Sequence, residues 1–170
     1  KFPIEYVNLP LMSDAAAPHK LFENMGPDGI TAEQMGSWYF DLFLTSTPII
    51  ISALERIAAA EAPVVFHCVA GKDRTGFAAA LLLSALGVDR DTIEHDYLLT
   101  NQLYRRDPSV EGKGPAHVMQ VLWQVQPAFL HAAFEVIHTQ HGGMQDYLHG
   151  PIGLSTQEVA ALRSMLLEPV

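Results

Sequence analysis

The chain holds one cysteine, Cys68, inside the string His67-Cys68-Val69-Ala70-Gly71-Lys72-Asp73-Arg74-Thr75-Gly76. An ordinary cysteine thiol titrates near pH ~8.5, but a helix N-terminus and nearby cations bring it down to about 3.5–7.5 and make the thiolate. Both conditions are expected here. An apolar, helix-forming run follows the string, so free backbone N–H groups point back at the loop, and Lys72 and Arg74 add positive charge. A strand, a glycine-containing loop and a helix N-terminus also form a general cradle for phosphate. Arg74 can grip two phosphate oxygens at once, which a lysine cannot match. Five residues separate Cys68 from Arg74. That spacing wraps one turn of backbone around a tetrahedral oxyanion, with the thiolate below and the guanidinium to the side. Val69, Ala70, Gly71, Lys72 and Gly76 then line the bound oxyanion. Gly71 permits a close backbone approach or φ > 0. The Thr75 hydroxyl is placed to stabilise the sulfur as a leaving group, and His67 to hold the loop. The reaction implied is attack of Cys68 on phosphorus, giving a phosphocysteine that water hydrolyses. Lys72, a second cation in the loop, suits a substrate with several phosphates, such as an inositol head group.

These residues need a scaffold to position them. Residues 64–67 form a continuous apolar run ending at the loop and predict a buried central strand. Residues 75–86 predict an apolar helix stopped by Gly87. Upstream, residues 4–9 alternate as a strand does, and residues 11–29 form a long loop. Thr31 with Gln34 opens one helix, and Pro48 starts another, on which Ile50, Leu54 and Ile57 share a face. Downstream, Asp89 or Asp91 caps a helix to about Tyr104. Residues 105–114 are a loop. Helical patterns follow at 117–125 and 127–140, the latter closed by Gly142-Gly143, with a short segment at 144–149. Ser155 and Glu158 form a capping box for a last helix to about Leu167. The sum is an α/β core with a helical C-terminal half.

The chain of 170 residues is long enough to bury a core without a disulfide or metal. Its net charge of −9 excludes nonspecific attraction to nucleic acid or to anionic membranes, so an anionic ligand needs a local basic site. No apolar run approaches the ~20 residues of a membrane span. A single cysteine forms no internal disulfide, which fits a cytoplasmic protein and equally an exported enzyme with a catalytic thiol. No metal or other cofactor is implied. His131, His138 and His141 share a predicted helix and read as surface residues. Trp38, Tyr39, Phe40, Phe43 and Leu44 form an aromatic stretch, either a core face or a lid over the site. Arg105 and Arg106 suit a helix C-terminus or a second phosphate.

Cys-x5-Arg preceded by His and followed by Thr-Gly is the signature of cysteine-dependent protein tyrosine and dual-specificity phosphatases. The fuller string resembles a bacterial branch of that superfamily that acts on phosphotyrosine and often on phosphoinositides. "GVDRDTIEHDYLLTN" and "GGMQDYLHGPIGLSTQEVAALRSMLL" are similar to the branch's C-terminal half. The resemblance implies the tyrosine-phosphatase α/β fold, a central sheet flanked by helices. It implies a phosphotyrosyl protein or phosphoinositide as substrate. It also implies an aspartate that protonates the leaving group. In the superfamily this residue follows the strand matched by residues 4–9, which makes Asp14 one candidate, although the Trp-Pro-Asp string is absent. Asp73, inside the loop, is the other candidate, as acid or as a clamp on Arg74. Asp96 is either a buttress of the loop or an ordinary helix-surface carboxylate. The strands and the Asn-Phe-Arg-Asp-type motif that precede residues 4–9 in relatives have no counterpart here. The expectation is one phosphatase domain, residues 1–170, without that N-terminal part. Two other functions compete. A rhodanese-like sulfurtransferase typically has a shorter Cys-to-Arg spacing. A catalytically weak phospho-ligand binding module typically has lost the cysteine or arginine.

Overall fold

The computed structural model describes residues 4–9, 47–60, 62–68, 70–105 and 123–168. Among them are six helices: α1 (Thr47–Ala58), α2 (Asp73–Leu86), α3 (Arg90–Leu103), α4 (Pro127–His141), α5 (Met144–His149) and α6 (Thr156–Leu166). The helix 75–86 expected from the sequence begins two residues earlier, at Asp73. It ends where expected, because Gly87 takes φ +85° and closes the last turn. The Gly87 N–H donates to Ser84 O, and the Val88 N–H donates to Leu83 O at 3.0 Å, the paired bonds of a Schellman closure. Asp89, not Asp91, caps α3, accepting from the Thr92 N–H at 2.9 Å and the Thr92 hydroxyl at 2.7 Å. These two bonds, the backbone one foremost, hold its carboxyl below the usual range. Pro127 opens α4, where a missing N–H costs nothing, and Gly142 closes it at φ +80°. The Ser155–Glu158 capping box opens α6.

Helix α2 is the organising element. It packs on α3, α5 and α6, while α1 packs on α6, and α4 on α3 and α5. The reason lies in its composition. Phe77, Ala80, Leu81 and Ala85 are buried, with Leu81 fully enclosed. The one polar member of that set, Ser84, returns its hydroxyl to the Ala80 carbonyl at 2.7 Å and so pays no desolvation debt. Ile50, Leu54, Tyr147, Leu148, Ile152 and Leu154 complete the same core. The C-terminal carbonyl Leu86 O receives the Arg163 guanidinium at 2.6 Å, which ties α6 to the negative end of α2.

One contact controls how closely α2 and α3 approach. A Cβ added at Gly76 meets the buried Tyr97 ring 2.7 Å from Cδ2 and 2.8 Å from Cε2. The α3 tyrosine therefore lies flat against backbone in the first turn of α2. This is a steric requirement for glycine in a helix that otherwise favours alanine.

The strands expected at residues 4–9 and 64–67 are not formed among the described residues. Residues 4–9 carry Ile4 at 89% and Tyr6 at 78% exposure, and no ladder. Residues 64–67 reach the site as expected but are not buried: Val65 is 88% exposed and Val64 47%. Only Phe66 packs inward, against the cluster of Ile57, Leu86 and Leu162. Apolar alternation specifies a strand only where a neighbouring segment pairs its N–H and C=O groups. No such neighbour is present among the described residues. The helix expected at 117–125 falls largely outside the described residues, as does the one opened by Thr31. Residues 125 and 126 are not helical.

Two substitutions test this packing in urea unfolding. Leu81→Ala is expected to lower stability by about 2–5 kcal/mol through the cavity it leaves. Gly76→Ala is expected to be destabilising, by about 1–3 kcal/mol of overpacking against Tyr97, although alanine is the better helix former. A Gly76→Ala protein more stable than the parent overturns the close-approach account.

Candidate active site

Residues 67–76 turn the chain from an extended segment into α2. Gly71 makes the turn at φ +65°, a conformation that an L side chain rarely adopts. Lys72 is the N-cap residue, and its carbonyl accepts the first helical bond from the Gly76 N–H at 2.8 Å. The Cys68 N–H donates to Thr75 Oγ1 at 2.9 Å, which pins the cysteine to the first turn of the helix. The His67 ring donates from Nδ1 to the Cys68 carbonyl at 2.9 Å.

The electrostatics of the sulfur follow from this geometry. Partial burial pushes the Cys68 thiol up, since a thiolate loses solvation there. Hydrogen bonds from the Thr75 hydroxyl and amide and from the Lys72 amide, with the Arg74 charge, outweigh it. The net effect holds the thiol below its ordinary value. The expected thiolate environment is therefore assembled from residues within one turn of chain. Arg74 is partly exposed and has no ion pair among the described residues.

The other two charges of the loop lie together. The Lys72 ammonium is not directed at solvent: the residue is 3% exposed. Its Nζ donates to Gln124 O at 3.2 Å and lies 3.2 Å from Asp73 Oδ1. Asp73 thus pairs with Lys72. It also lies close enough to Tyr97 that, after burial, its negative charge holds the phenol above the usual range and keeps it neutral. The side chains of Asp73 and Lys72 are 14% and 4% exposed.

A groove of about 320 Å³ opens beside Gly71, lined by Asp96, Leu99, Thr100, Leu103 and Tyr104. Asp96 is exposed on that wall. Tyr104 stacks on Trp123 with ring centroids 6.5 Å apart. Asn101, on α3 between Thr100 and Leu103, was not signalled by the sequence. Its amide donates from Nδ2 to Val125 O at 2.8 Å and accepts from the Val125 N–H at 2.9 Å. Tyr97 and Gln124 were likewise silent in the sequence, because each acts through a partner distant along the chain. Asp14, Val69, Arg106 and the aromatic stretch 38–44 lie outside the described residues.

Of the histidines read as surface residues, His141 is instead partly buried with its ring 5.0 Å from that of the buried Tyr147, and His131 has a charged partner. His131 Nε2 bonds the Glu94 carboxylate, linking α4 to α3. No group of His, Cys, Asp or Glu side chains suited to a metal ion occurs among the described residues. No helix among them is long and apolar enough to cross a membrane.

Comparison with known proteins places this site in a family. The family described as "Tyrosine phosphatase family" matches residues 1–168. The chain is similar to the triple specificity protein phosphatase PtpB of Mycobacterium tuberculosis, with 37% identity over 135 residues, covering 68% of this chain and 49% of that protein. It is also similar to a tyrosine-protein phosphatase of Nostoc commune, with 32% identity over 149 residues, covering 79% of this chain and 49% of that protein. The chain spans about half the length of these relatives. The match along nearly its whole length, and the Cys68-to-Arg74 loop at its centre, make this chain a member of the tyrosine phosphatase family.

Proposed function

We propose that the chain is a cysteine-dependent phosphatase domain that hydrolyses phosphotyrosyl proteins through a phosphocysteine intermediate. The observation that carries the reading is the set of donors around Cys68: Thr75, the Lys72 amide and Arg74 together lower the thiol against its burial. In the first step the Cys68 thiolate forms a bond to phosphorus as the phosphorus–oxygen bond to tyrosine breaks. The departing phenolate oxygen takes a proton from an aspartic acid. In the second step water attacks the phosphocysteine, the aspartate takes its proton, and inorganic phosphate leaves with regeneration of the thiolate. Arg74 holds two phosphate oxygens throughout. Thr75 donates to the sulfur as it leaves. Asp73, at the start of α2, and Asp14 are the two acid candidates. The central sheet of the tyrosine-phosphatase fold is part of this reading. The exposed Val64 and Val65 are the residues such a sheet would cover.

Phosphoinositide monoesters are the second substrate class, supported by the likeness of the loop string to its branch. A relative named for triple specificity supports breadth of substrate. The single domain spanning residues 1–170 also belongs to this proposal.

Three measurements test it. Hydrolysis of p-nitrophenyl phosphate is expected to be sensitive to vanadate and absent in Cys68→Ser. A chain that binds phosphotyrosine without turnover supports the binding-module alternative instead. For the acid, Asp73→Asn and Asp14→Asn are compared on p-nitrophenyl and unactivated phenyl phosphate. The true acid costs about 10²–10⁴-fold on the poor leaving group and much less on the good one. Neither variant showing that difference removes both assignments.

The pH dependence has a definite sign. Thiolate is the form that alkylates, so a lowered thiol reacts with iodoacetamide at lower pH than an ordinary one. The reaction midpoint for Cys68 is expected below the ordinary ~8.5. Thr75→Ala, which removes the hydroxyl donor, is expected to move the midpoint up. A midpoint at or above the ordinary value is incompatible with the proposed nucleophile.

A further inference from the structure

Lys72 holds an unusual position for a residue expected to touch substrate. Its backbone is part of the phosphate loop, yet its ammonium is buried and bound to Gln124 O at 3.2 Å. The neighbouring residue along that second segment, Val125, is 2% exposed and is held by both polar atoms of Asn101, at 2.8 and 2.9 Å. Residues 124 and 125 are therefore gripped from two directions: from the loop by Lys72, and from the last turn of α3 by Asn101. Helix α3 also presses Tyr97 onto Gly76, one residue beyond Thr75, which accepts the Cys68 N–H. Loop, α3 and the 124–125 segment close a ring of contacts. A buried ammonium costs too much to be placed there unless its partners are fixed. Asn101 is the residue that fixes one of them.

We propose that Lys72 and Asn101 are positioning residues, which hold the 124–125 segment between them and thereby set the conformation of the phosphate loop around Cys68. Lys72 acts through its own backbone: with its side chain anchored, its N–H stays on the sulfur and its carbonyl stays on Gly76. The cation does not meet substrate phosphates. Phosphotyrosine and polyphosphorylated ligands consequently depend on it to the same degree. This inference rests on the phosphatase reading for its kinetic consequences but not for its structural ones.

Cys68 is the only thiol in the chain, so its alkylation by iodoacetamide reads the loop whether or not turnover occurs. The groups that bear on the sulfur are the Arg74 guanidinium, the His67 ring on the Cys68 carbonyl, and the Lys72–Asp73 pair beside Tyr97. Asn101→Ala changes none of these charges. It is expected to raise the pH midpoint of alkylation, in the same direction as Lys72→Met. The double variant is expected to be no worse than the poorer single one, because both release the same 124–125 segment. Circular dichroism checks folding. If Asn101→Ala does not fold, Asn101→Gln adds no charge, keeps both groups of the amide but displaces them by one methylene, and is expected to give a smaller rise.

In turnover, Lys72→Met is expected to lower kcat/KM by equal factors on a phosphotyrosyl peptide and on a phosphoinositide. An unchanged midpoint in the folded Asn101 variant overturns the proposal, as do strictly additive effects or a loss confined to the phosphoinositide. A parent protein without phosphatase activity defeats the functional reading alone, and the alkylation midpoints still decide this one.

Discussion

The site depends on a thiol that is half withdrawn from water and must still ionise. Burial alone works against Cys68, since the charged form loses solvation. What reverses the balance is the start of α2. The Thr75 hydroxyl and amide, the Lys72 amide and the Arg74 charge all converge on the sulfur from within one turn. None of these donors is useful unless the helix begins at the right residue and the loop before it bends correctly. Gly71 at φ +65° supplies the bend, and the Cys68 N–H bond to Thr75 joins the two ends.

The start of α2 is in turn a consequence of the core. Leu81 and Phe77 bury the helix among α3, α5 and α6, and Gly76 admits the Tyr97 ring where any side chain would collide. The candidate catalytic turn is thus carried on a helix packed against three others among the described residues, and such support is what a group that must hold position within a fraction of an ångström requires.

Charge is divided in the same economical way. The chain is acidic overall, and its loop contains two cations with opposite fates. Arg74 is partly exposed and without an ion pair among the described residues, placed to meet a phosphate. Lys72 is buried with Asp73 and a backbone carbonyl, so its charge is neutralised locally. A neutral Tyr97 lies beside that pair. Two residues separated by one position in the sequence therefore differ in kind, one partly exposed and the other buried.

The sequence by itself singled out Cys68 as the candidate nucleophile, with Arg74, the turn glycine Gly71 and the Thr75 hydroxyl at fixed spacing from it. The chemistry of a phosphate loop is local, and its spacing is readable within ten residues. It also determined most helix ends, because caps such as Asp89, Gly87, Pro127 and Ser155–Glu158 act over three or four residues. The apolar periodicity of Ile50, Leu54 and Ile57 identified a buried face for the same reason. Tertiary structure decided what depends on partners far along the chain. Lys72 reads from the sequence as a loop cation, and only the fold shows that Gln124, 52 residues away, accepts from its ammonium. Asn101 carried no signal until Val125 lay beside it. The segment 64–67 read as a buried strand, yet apolar side chains do not make one without a neighbour for the backbone. A hydrogen bond between distant segments leaves no periodicity in either of them. Only the folded chain shows which groups meet.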